Sequence, residues 1–216
     1  MATFSDRFQG MTGVIVGTGP SLTDKQLKAV EHLPKFGVNN AFKLGLDVHL
    51  ACNWQWWDRY WDEIKDYPCD KWTPRKESAE KYGINYIEER WEPGLSADKS
   101  YICAHHGSGP QIVNIALHYG IKKMILIGWD MKYPGKVTDK HYTGKRHYFG
   151  EYPKELQHWP RTGPNGELAG LIREMETINP SDYGIEIVNC TPNSAMTHFP
   201  FRSLSGYLND LERSKG

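Results

Sequence analysis

The chain lacks the features that direct a protein to nucleic acid, to a membrane or to an oxidising compartment. Its 26 Lys and Arg residues equal its 26 Asp and Glu residues, so no net charge remains at pH 7 to attract nucleic acid or an anionic surface. No apolar run approaches the length of a membrane span, and residues 1–10 carry Asp6 and Arg7 where a signal peptide has an apolar core. We expect a cytoplasmic protein without a transmembrane segment.

Groups of metal-ligating or disulfide-forming residues are scarce as well. The four cysteines lie far apart with no CxxC pair, which favours reduced thiols in or near the core. The sequence shows no HxxxH pattern and no group of carboxylates at ligand spacing, so it predicts no resident metal. One alternative stays open, a metal held by Asp130 with histidines of the segment 132–166.

Aromatic residues, by contrast, are abundant, with eight Trp and twelve Tyr. Trp54, Trp57 and Trp61 recur at spacings of three and four, which predicts a helix over 54–67 with an aromatic face. Such a face usually belongs to the core, and a ligand platform is the alternative. Trp and Tyr side chains that stay exposed would suit self-association, so a homo-oligomer is left open.

A glycine-rich turn near the start organises the rest of the chain. The β-branched run 14–16 leads into Gly17-Thr18-Gly19-Pro20-Ser21, and a helical pattern begins at Thr23, which predicts a buried strand, a tight turn and a helix. Backbone N–H groups of such a turn can bind a phosphate, whose place a side chain at Gly19 would occupy. The third glycine of a dinucleotide fingerprint is missing near Leu22, so the turn does not predict NAD. The alternative is a tight turn that binds nothing.

Amide side chains follow the next two predicted strands. The strand predicted over 36–40 ends in Asn39-Asn40, and the strand predicted over 46–53 ends in Asn53. In open parallel sheets ligands bind beyond the carboxyl ends of the strands, and amides both donate and accept hydrogen bonds. These residues are therefore candidates for reading a base or a sugar, with the general preference of Asn for turns as the alternative.

The same rhythm recurs in the second half of the chain. A strand over 101–104 precedes Gly107-Ser108-Gly109 and a helix from 111, and a strand over 123–128 ends in Trp129-Asp130. Ser108 and Gly109 thus form a second candidate anion or ribose site. A helix over 167–178, a strand over 185–190 and a helix over 204–211 complete the pattern. We predict one α/β domain over 1–216, Rossmann-like, with a mostly parallel sheet flanked by helices.

The segment 132–166 has no apolar periodicity and predicts a lid or active-site loop within this domain. It supplies hydroxyls for a leaving phosphate, cationic side chains and candidate general bases. These are Tyr133, Tyr142, Lys145, Arg146, His141, His147 and Glu151. A solvated loop without function is the alternative.

Several of these pieces together resemble one family. They are the Gly-x-Gly-Pro-Ser-Leu turn, the two strands that end in Asn, the Gly-Ser-Gly turn, Ile-Gly-Trp-Asp at 127–130, His-Tyr-Phe-Gly at 147–150 and Pro-Asn-Ser at 192–194. The chain resembles the small bacterial lipooligosaccharide sialyltransferases, which use a CMP-sugar donor on a Rossmann-like sheet with a lid. It also resembles proteins related to the archaeal hydroxymethylpterin pyrophosphokinases, which share the Gly-x-Gly-Pro-Ser-Leu opening.

The resemblance implies a role for each matching residue. The turn residues would lie against the nucleotide phosphate; these are Gly17, Thr18, Gly19, Pro20 and Ser21. The remaining nucleotide-binding residues would contact the base, the ribose or the transferred group, or close the pocket; these are Asn39, Asn53, Ser108, Gly109, Asp130, Asn193 and Ser194. Three positions depart from the family. Lys132 stands where a phosphate-binding tyrosine is expected, with Tyr133 one residue later; Glu151 stands at the catalytic histidine; and His105 stands near an expected arginine.

The expected function is a nucleotide-sugar-dependent glycosyltransferase that uses a CMP-type donor and a hydroxyl-bearing acceptor. His147 is the first candidate for the general base, and Glu151, His141 and Tyr142 compete for a catalytic role. Two alternatives stay open, an ATP- and Mg²⁺-dependent pyrophosphokinase of the pterin type and a nucleotide-binding protein without catalysis.

Overall fold

A computed structural model describes residues 3–103, 107–134, 145–156 and 166–214. Seven parallel strands form the main sheet, in the order β5-β4-β3-β2-β1-β8-β9, and β6 pairs with β7 in a separate parallel sheet. The strand bounds are β1 Thr12–Val16, β2 Lys35–Val38, β3 Val48–Leu50, β4 Asp70–Thr73, β5 Asn85–Tyr86, β6 Glu88–Arg90, β7 Tyr101–Cys103, β8 Lys123–Ile127 and β9 Glu186–Asn189.

Six α-helices accompany these strands in the described part of the chain, five between strands and one after β9. Their bounds are α1 Asp24–Ala29, α2 Trp54–Ile64, α3 Lys76–Tyr82, α4 Ser108–His118, α5 Glu167–Glu176 and α6 Leu204–Arg213. Thr23 begins α1 with a capping box, since its hydroxyl accepts from the N–H of Gln26 and the Gln26 side chain accepts from the N–H of Thr23. None of the helices in the described residues is long and apolar enough to cross a membrane.

The sheet has its switch point between β1 and β8. From β1 the chain runs outward through β2, β3, β4 and β5, and it then returns to place β8 on the other side of β1. Both faces of the sheet are covered, because Ile15 of β1 packs in one apolar cluster while Val14 and Val16 pack in another. The predicted α/β, mostly parallel, Rossmann-like architecture is confirmed.

The strand predicted over 101–104 does not join the main sheet. Its described part, β7, pairs only with β6 among the described residues, so the run from β7 through α4 to β8 is not a crossover within one sheet. The polar segment 83–98, which carries no strand signal, contributes β5 and β6. Both strands have two or three residues, too few to show a period of two in the sequence.

The aromatic helix α2 forms as predicted, but its buried face is turned from the predicted one. Trp56 and Trp57 are buried together with Tyr60, whereas Trp54 is 56% exposed. Trp54 is the first residue of the helix and lies at its exposed end. The interpretation of the buried aromatic residues as core is confirmed, and the assignment of Trp54 to that face is wrong.

Candidate functional site

A cleft of about 440 Å³ opens at the carboxyl ends of β1, β2 and β3. Thr18 follows β1, Asn39 follows β2, and Asn53 lies between β3 and α2; all three line the cleft. These strands are neighbours in the sheet, which brings together side chains that are up to 35 positions apart in the chain, from 18 to 53. We call this cleft the strand-end pocket. Its remaining described walls are Gln55, Trp56, Tyr133, Arg146, His147, Tyr152, Glu155, Leu156, Glu167 and Leu168.

The floor of the pocket is built around the two consecutive amides Asn39 and Asn40. Asn39 has a left-handed backbone, with φ +49°, and lines the pocket. Asn40 is buried, donates to the hydroxyl of Tyr60 at 3.2 Å and accepts from the indole N–H of Trp56 at 3.0 Å. Asn39 thus borders the pocket, while the Asn40 side chain bonds to two residues of α2.

His147 also lines the pocket and belongs to the segment predicted as a lid. Its Nδ1 is 3.4 Å from the Thr18 hydroxyl, and its ring meets the Tyr152 ring edge-on with centroids 4.9 Å apart. Burial lowers the pKa of His147, the nearby Glu151 carboxylate raises it, and Arg146 lowers it further, with a net shift below the ordinary value of 6.5. The imidazole is therefore neutral at pH 7, the form in which it can take up a proton.

Glu151, four residues after His147, forms an ion pair with Arg146, which directly precedes His147. The Arg146 Nε donates to Glu151 Oε2 at 2.6 Å, a second guanidinium nitrogen contacts the same oxygen, and the Arg146 N–H donates to Oε1. Burial raises the pKa of Glu151, but these hydrogen bonds lower it more, and the net shift is downward. A carboxylate with a lowered pKa is a weak base, so this arrangement favours His147 over Glu151 for proton transfer.

The segment 145–156 is attached to the body of the protein at several points. The N–H of Tyr148 donates to the carbonyl of Thr18 at 2.7 Å, and the Tyr148 hydroxyl donates to Asp24. The backbone of Asn40 hydrogen-bonds the Tyr152 hydroxyl, whose pKa is raised by burial. His147 therefore directly precedes one anchored residue, Tyr148, and lies five residues before another, Tyr152.

Two carboxylates line the far side of the pocket. Glu167 begins α5 and accepts a hydrogen bond from the Tyr133 hydroxyl. Glu155 lies 3.6 Å from the guanidinium of Arg59 on α2. Tyr133, predicted to bind phosphate, is thus in the pocket, where its hydroxyl is engaged with a carboxylate.

The glycine turn lies at the switch point, beside the pocket. Its N–H groups are engaged within the protein: Gly17 donates to Ile127 at 2.8 Å and Gly19 donates to Gly128 at 2.9 Å. Ser21 donates to the Asp130 carboxylate from its N–H at 3.2 Å and from its hydroxyl at 2.8 Å. Burial raises the pKa of Asp130, while the hydrogen bonds from Ser21 lower it, and the net shift is upward.

The two glycines are required because the turn packs directly on the end of β8. A Cβ on Gly17 would collide with the carbonyl of Gly128, and one on Gly19 would collide with the Asp130 carboxylate. A phosphate at Ser21 would have to displace that carboxylate. Only Thr18 of the turn lines the strand-end pocket.

The other residues predicted to bind nucleotide have structural partners outside the pocket walls. Ser108 donates to the Cys52 sulfur at 3.2 Å, and a Cβ on Gly109 would lie 3.1 Å from the Trp129 ring. Ser194 donates to the carbonyl of Trp129, and Asn193 is exposed with φ +54°. Their part in binding a nucleotide stays a prediction.

Three residues singled out from the sequence lie outside the described residues: His141, Tyr142 and His105. Pro20 is half-buried within the glycine turn and does not line the pocket. In the described part of the chain, no three His, Cys, Asp or Glu side chains form a group that could hold a metal ion.

Sequence reasoning missed several pocket walls. Trp56 carries only a core signal, since it sits in an aromatic helix. Glu167 carries only a helix-start signal, because an acid in a first helical turn is ordinary. Gln55 and Glu155 belong to polar stretches with no pattern. Nothing in the local sequence marks these residues as pocket walls; the way the elements pack brings them to the pocket.

No protein-family model and no curated protein matches the chain. Among solved structures, this chain is similar in structure to the MAf glycosyltransferase from Magnetospirillum magneticum AMB-1, with a TM-score of 0.52 and 12% sequence identity. The superposition covers 97% of this chain and 38% of that chain, so the chain spans well under half the length of its neighbour. At this identity the likeness shows a shared fold, in agreement with the sheet described above.

Proposed function

We propose that the chain is a nucleotide-sugar-dependent glycosyltransferase, sialyltransferase-like in its donor binding, which transfers a sugar from a CMP-type donor to a hydroxyl acceptor. The observation that carries the proposal is one pocket that joins three polar strand ends, Thr18, Asn39 and Asn53, to a neutral imidazole, His147. The likeness to a glycosyltransferase in fold supports the same class.

In the proposed reaction the strand-end amides hold the donor. Asn39, Asn53 and Gln55 offer both N–H donors and carbonyl acceptors, which match the edges of a base or the hydroxyls of a sugar. The indole of Trp56 adds an apolar wall on the same side. The donor binds across the ends of β1 to β3 with its anomeric carbon toward His147.

His147 then acts as the general base. A proton on Nδ1 is donated to the Thr18 hydroxyl, which leaves Nε2 as the acceptor for the proton of the incoming hydroxyl. The acceptor oxygen forms a bond to the anomeric carbon, the bond from that carbon to the phosphate oxygen breaks, and the nucleotide leaves with the negative charge. Arg146, which lines the pocket, supplies a cation for this charge.

The experiment is a calorimetric titration of the protein with CMP, UDP, GDP and ATP, each with and without Mg²⁺. A preference for CMP, followed by release of CMP from a CMP-sugar in the presence of a hydroxyl acceptor, is the expected result. A preference for ATP with Mg²⁺ and pyrophosphate transfer would favour the pyrophosphokinase alternative. Tight nucleotide binding without turnover of any donor would favour a non-catalytic nucleotide-binding protein.

A further inference from the structure

A buried histidine behind the pocket wall has no place in the proposed reaction. His49 lies in β3 with no solvent exposure, surrounded by Phe42, Trp56 and Trp57. Its ring centroid is 4.9 Å from that of Trp56, at an interplanar angle of 31°. This is an apolar environment, in which a phenylalanine would fill a similar volume without a polar atom.

The imidazole contacts two residues that line the strand-end pocket. Its Nε2 is 2.9 Å from the carbonyl oxygen of Asn39, and its ring lies against Trp56. Because a carbonyl only accepts, the Nε2 carries the proton and donates it. The His49 side chain thus contacts one polar residue of the pocket lining, Asn39, and one aromatic residue of it, Trp56.

The other ring nitrogen gives the reason to look for a function. Nδ1 of His49 is buried and has no hydrogen-bond partner among the described residues. A buried polar atom without a partner is unfavourable, so packing alone does not account for a histidine here. The bond from Nε2 to Asn39 is the interaction that a phenylalanine would lose.

The backbone of Asn39 is one that such a bond can stabilise. Its φ of +49° lies in the left-handed region, where residues other than glycine are uncommon and Asn is among the most frequent of them. The hydrogen bond from His49 holds the carbonyl of Asn39. The next residue, Asn40, is held by its side-chain hydrogen bonds with Tyr60 and Trp56. Together these bonds hold the backbone of Asn39 and Asn40 at the edge of the pocket that Asn39 lines.

We propose that His49 is a positioning residue of the strand-end pocket, which holds Asn39 in its left-handed conformation and Trp56 in its place so that both face the ligand. The expected effect of His49 on ligand binding rests on the proposed nucleotide-sugar pocket. The expected effect of His49 on the conformation of Asn39 does not.

The test uses a graded set of variants of the whole chain. His49→Gln keeps an amide N–H near the place of Nε2, His49→Asn has a shorter amide that does not reach Asn39, and His49→Phe removes the donor. His118→Phe is the matched control, since His118 is also buried and its Nε2 also bonds a carbonyl, that of Tyr101 at 2.9 Å, but it lies outside the pocket walls.

Two measurements are made on each variant, a crystal structure without ligand and a calorimetric titration with CMP. We expect Asn39 to leave its left-handed conformation and CMP affinity to fall roughly tenfold in His49→Phe and His49→Asn, with His49→Gln within about threefold of the unchanged chain. His118→Phe should lower stability and leave CMP affinity unchanged.

The proposal is overturned if Asn39 keeps its conformation in the crystal structure of either His49→Phe or His49→Asn, or if His118→Phe weakens CMP binding as much as His49→Phe does. If the unchanged chain does not bind CMP, the proposed function fails, and the crystal structures still decide whether His49 positions Asn39. If His49→Phe does not fold, the comparison of His49→Asn with His49→Gln decides.

Discussion

The glycine turn at 17–21 and the strand-end pocket lie side by side, yet they use their polar groups in opposite ways. In the turn, the N–H groups of Gly17, Gly19 and Ser21 bond to the end of β8 and to Asp130. In the pocket, Asn39 and Asn53 line open space. The turn therefore joins two strands, while the pocket leaves polar residues beside open space.

This difference teaches how to interpret a glycine pair after a strand. Glycine indicates that something approaches the backbone closely, but it does not say whether that partner is a phosphate or another part of the protein. Here the described partner is the Gly128–Asp130 backbone and carboxylate. The ligand-facing signal lies in Thr18, the one turn residue that lines the pocket.

The largest expected effect comes from a substitution in the turn. Gly19→Ala should destabilise the protein by more than about 3 kcal/mol, because its Cβ would collide with the Asp130 carboxylate and lie 2.6 Å from the carbonyl oxygen of Gly128. Urea unfolding measures this. Gly45→Ala is the matched control, since it meets nothing within 4 Å but has φ +68°, and it should cost only about 1 kcal/mol. If Gly19→Ala is as stable as the control and only loses nucleotide affinity, the turn faces a ligand after all.

The second effect concerns the base. His147→Ala should lower kcat by roughly 10²–10⁴ and leave CMP affinity nearly unchanged, as loss of proton transfer does. Because burial lowers the pKa of His147, kcat/KM of the unchanged chain should rise with pH through a value below 6.5 and then stay level. This rise should be absent from His147→Ala.

Glu151→Gln separates the two candidates for the base. It weakens the ion pair with Arg146 but removes no proton acceptor from the pocket wall, so kcat should fall by less than about tenfold. An inactive Glu151→Gln beside a fully active His147→Ala would assign the base to Glu151.

A smaller effect is expected from the pH dependence of stability. Burial lowers the pKa of His49 to about 3, against an ordinary value of 6.5; the bond to Asn39 raises it in part, and Lys71 lowers it further. Between these values the unfolded chain binds a proton that the folded chain does not, so stability falls as pH falls below 6.5. At pH 5 this group should cost about 2 kcal/mol, from 1.5 pH units at about 1.4 kcal/mol each.

Urea unfolding at pH 8 and pH 5 measures this dependence. The drop in the free energy of unfolding between the two values should be smaller by about 2 kcal/mol in His49→Gln than in the unchanged chain. An equal drop in both proteins would mean that His49 is protonated in the folded state.

The smallest effect is expected at a residue that the sequence assigns to the nucleotide but that lies outside the pocket walls. Asn193 is exposed with φ +54°, a backbone that glycine adopts without strain. Asn193→Gly should change stability by less than about 1 kcal/mol and leave CMP affinity unchanged. A tenfold loss of affinity would bring the 192–194 turn into the site.

The sequence predicts the fold well where an element is long enough to show a pattern of apolar residues. Burial on both faces makes β1 and β8 continuous apolar runs, and Thr23 and Gln26 mark the start of α1. The sequence does not predict the short strands β5 and β6 or the separate pairing of β7, because a strand of two or three residues has no measurable period.

The candidate site is predictable only in the part that follows strand ends. Thr18, Asn39 and Asn53 can be placed together from the parallel-sheet rule, and the structure brings them to one pocket. Trp56 and Glu167 cannot, because the angle at which α2 and α5 pack decides which of their residues reach the pocket. The contacts of His49 with Asn39 and Trp56 are not predictable either, since the sequence around an isolated histidine in a buried strand does not show which residues pack against it.

Calorimetric titration of CMP into Asn53→Ala tests the central claim, that the nucleotide binds in the strand-end pocket, most directly. Asn53 lines the pocket and precedes α2 without capping it through its side chain, so its loss should not disturb the fold. The claim predicts an affinity at least roughly tenfold below that of the unchanged chain, with Asn193→Gly unaffected. Equal affinity in Asn53→Ala and the unchanged chain, or no binding of CMP to the unchanged chain, would contradict it.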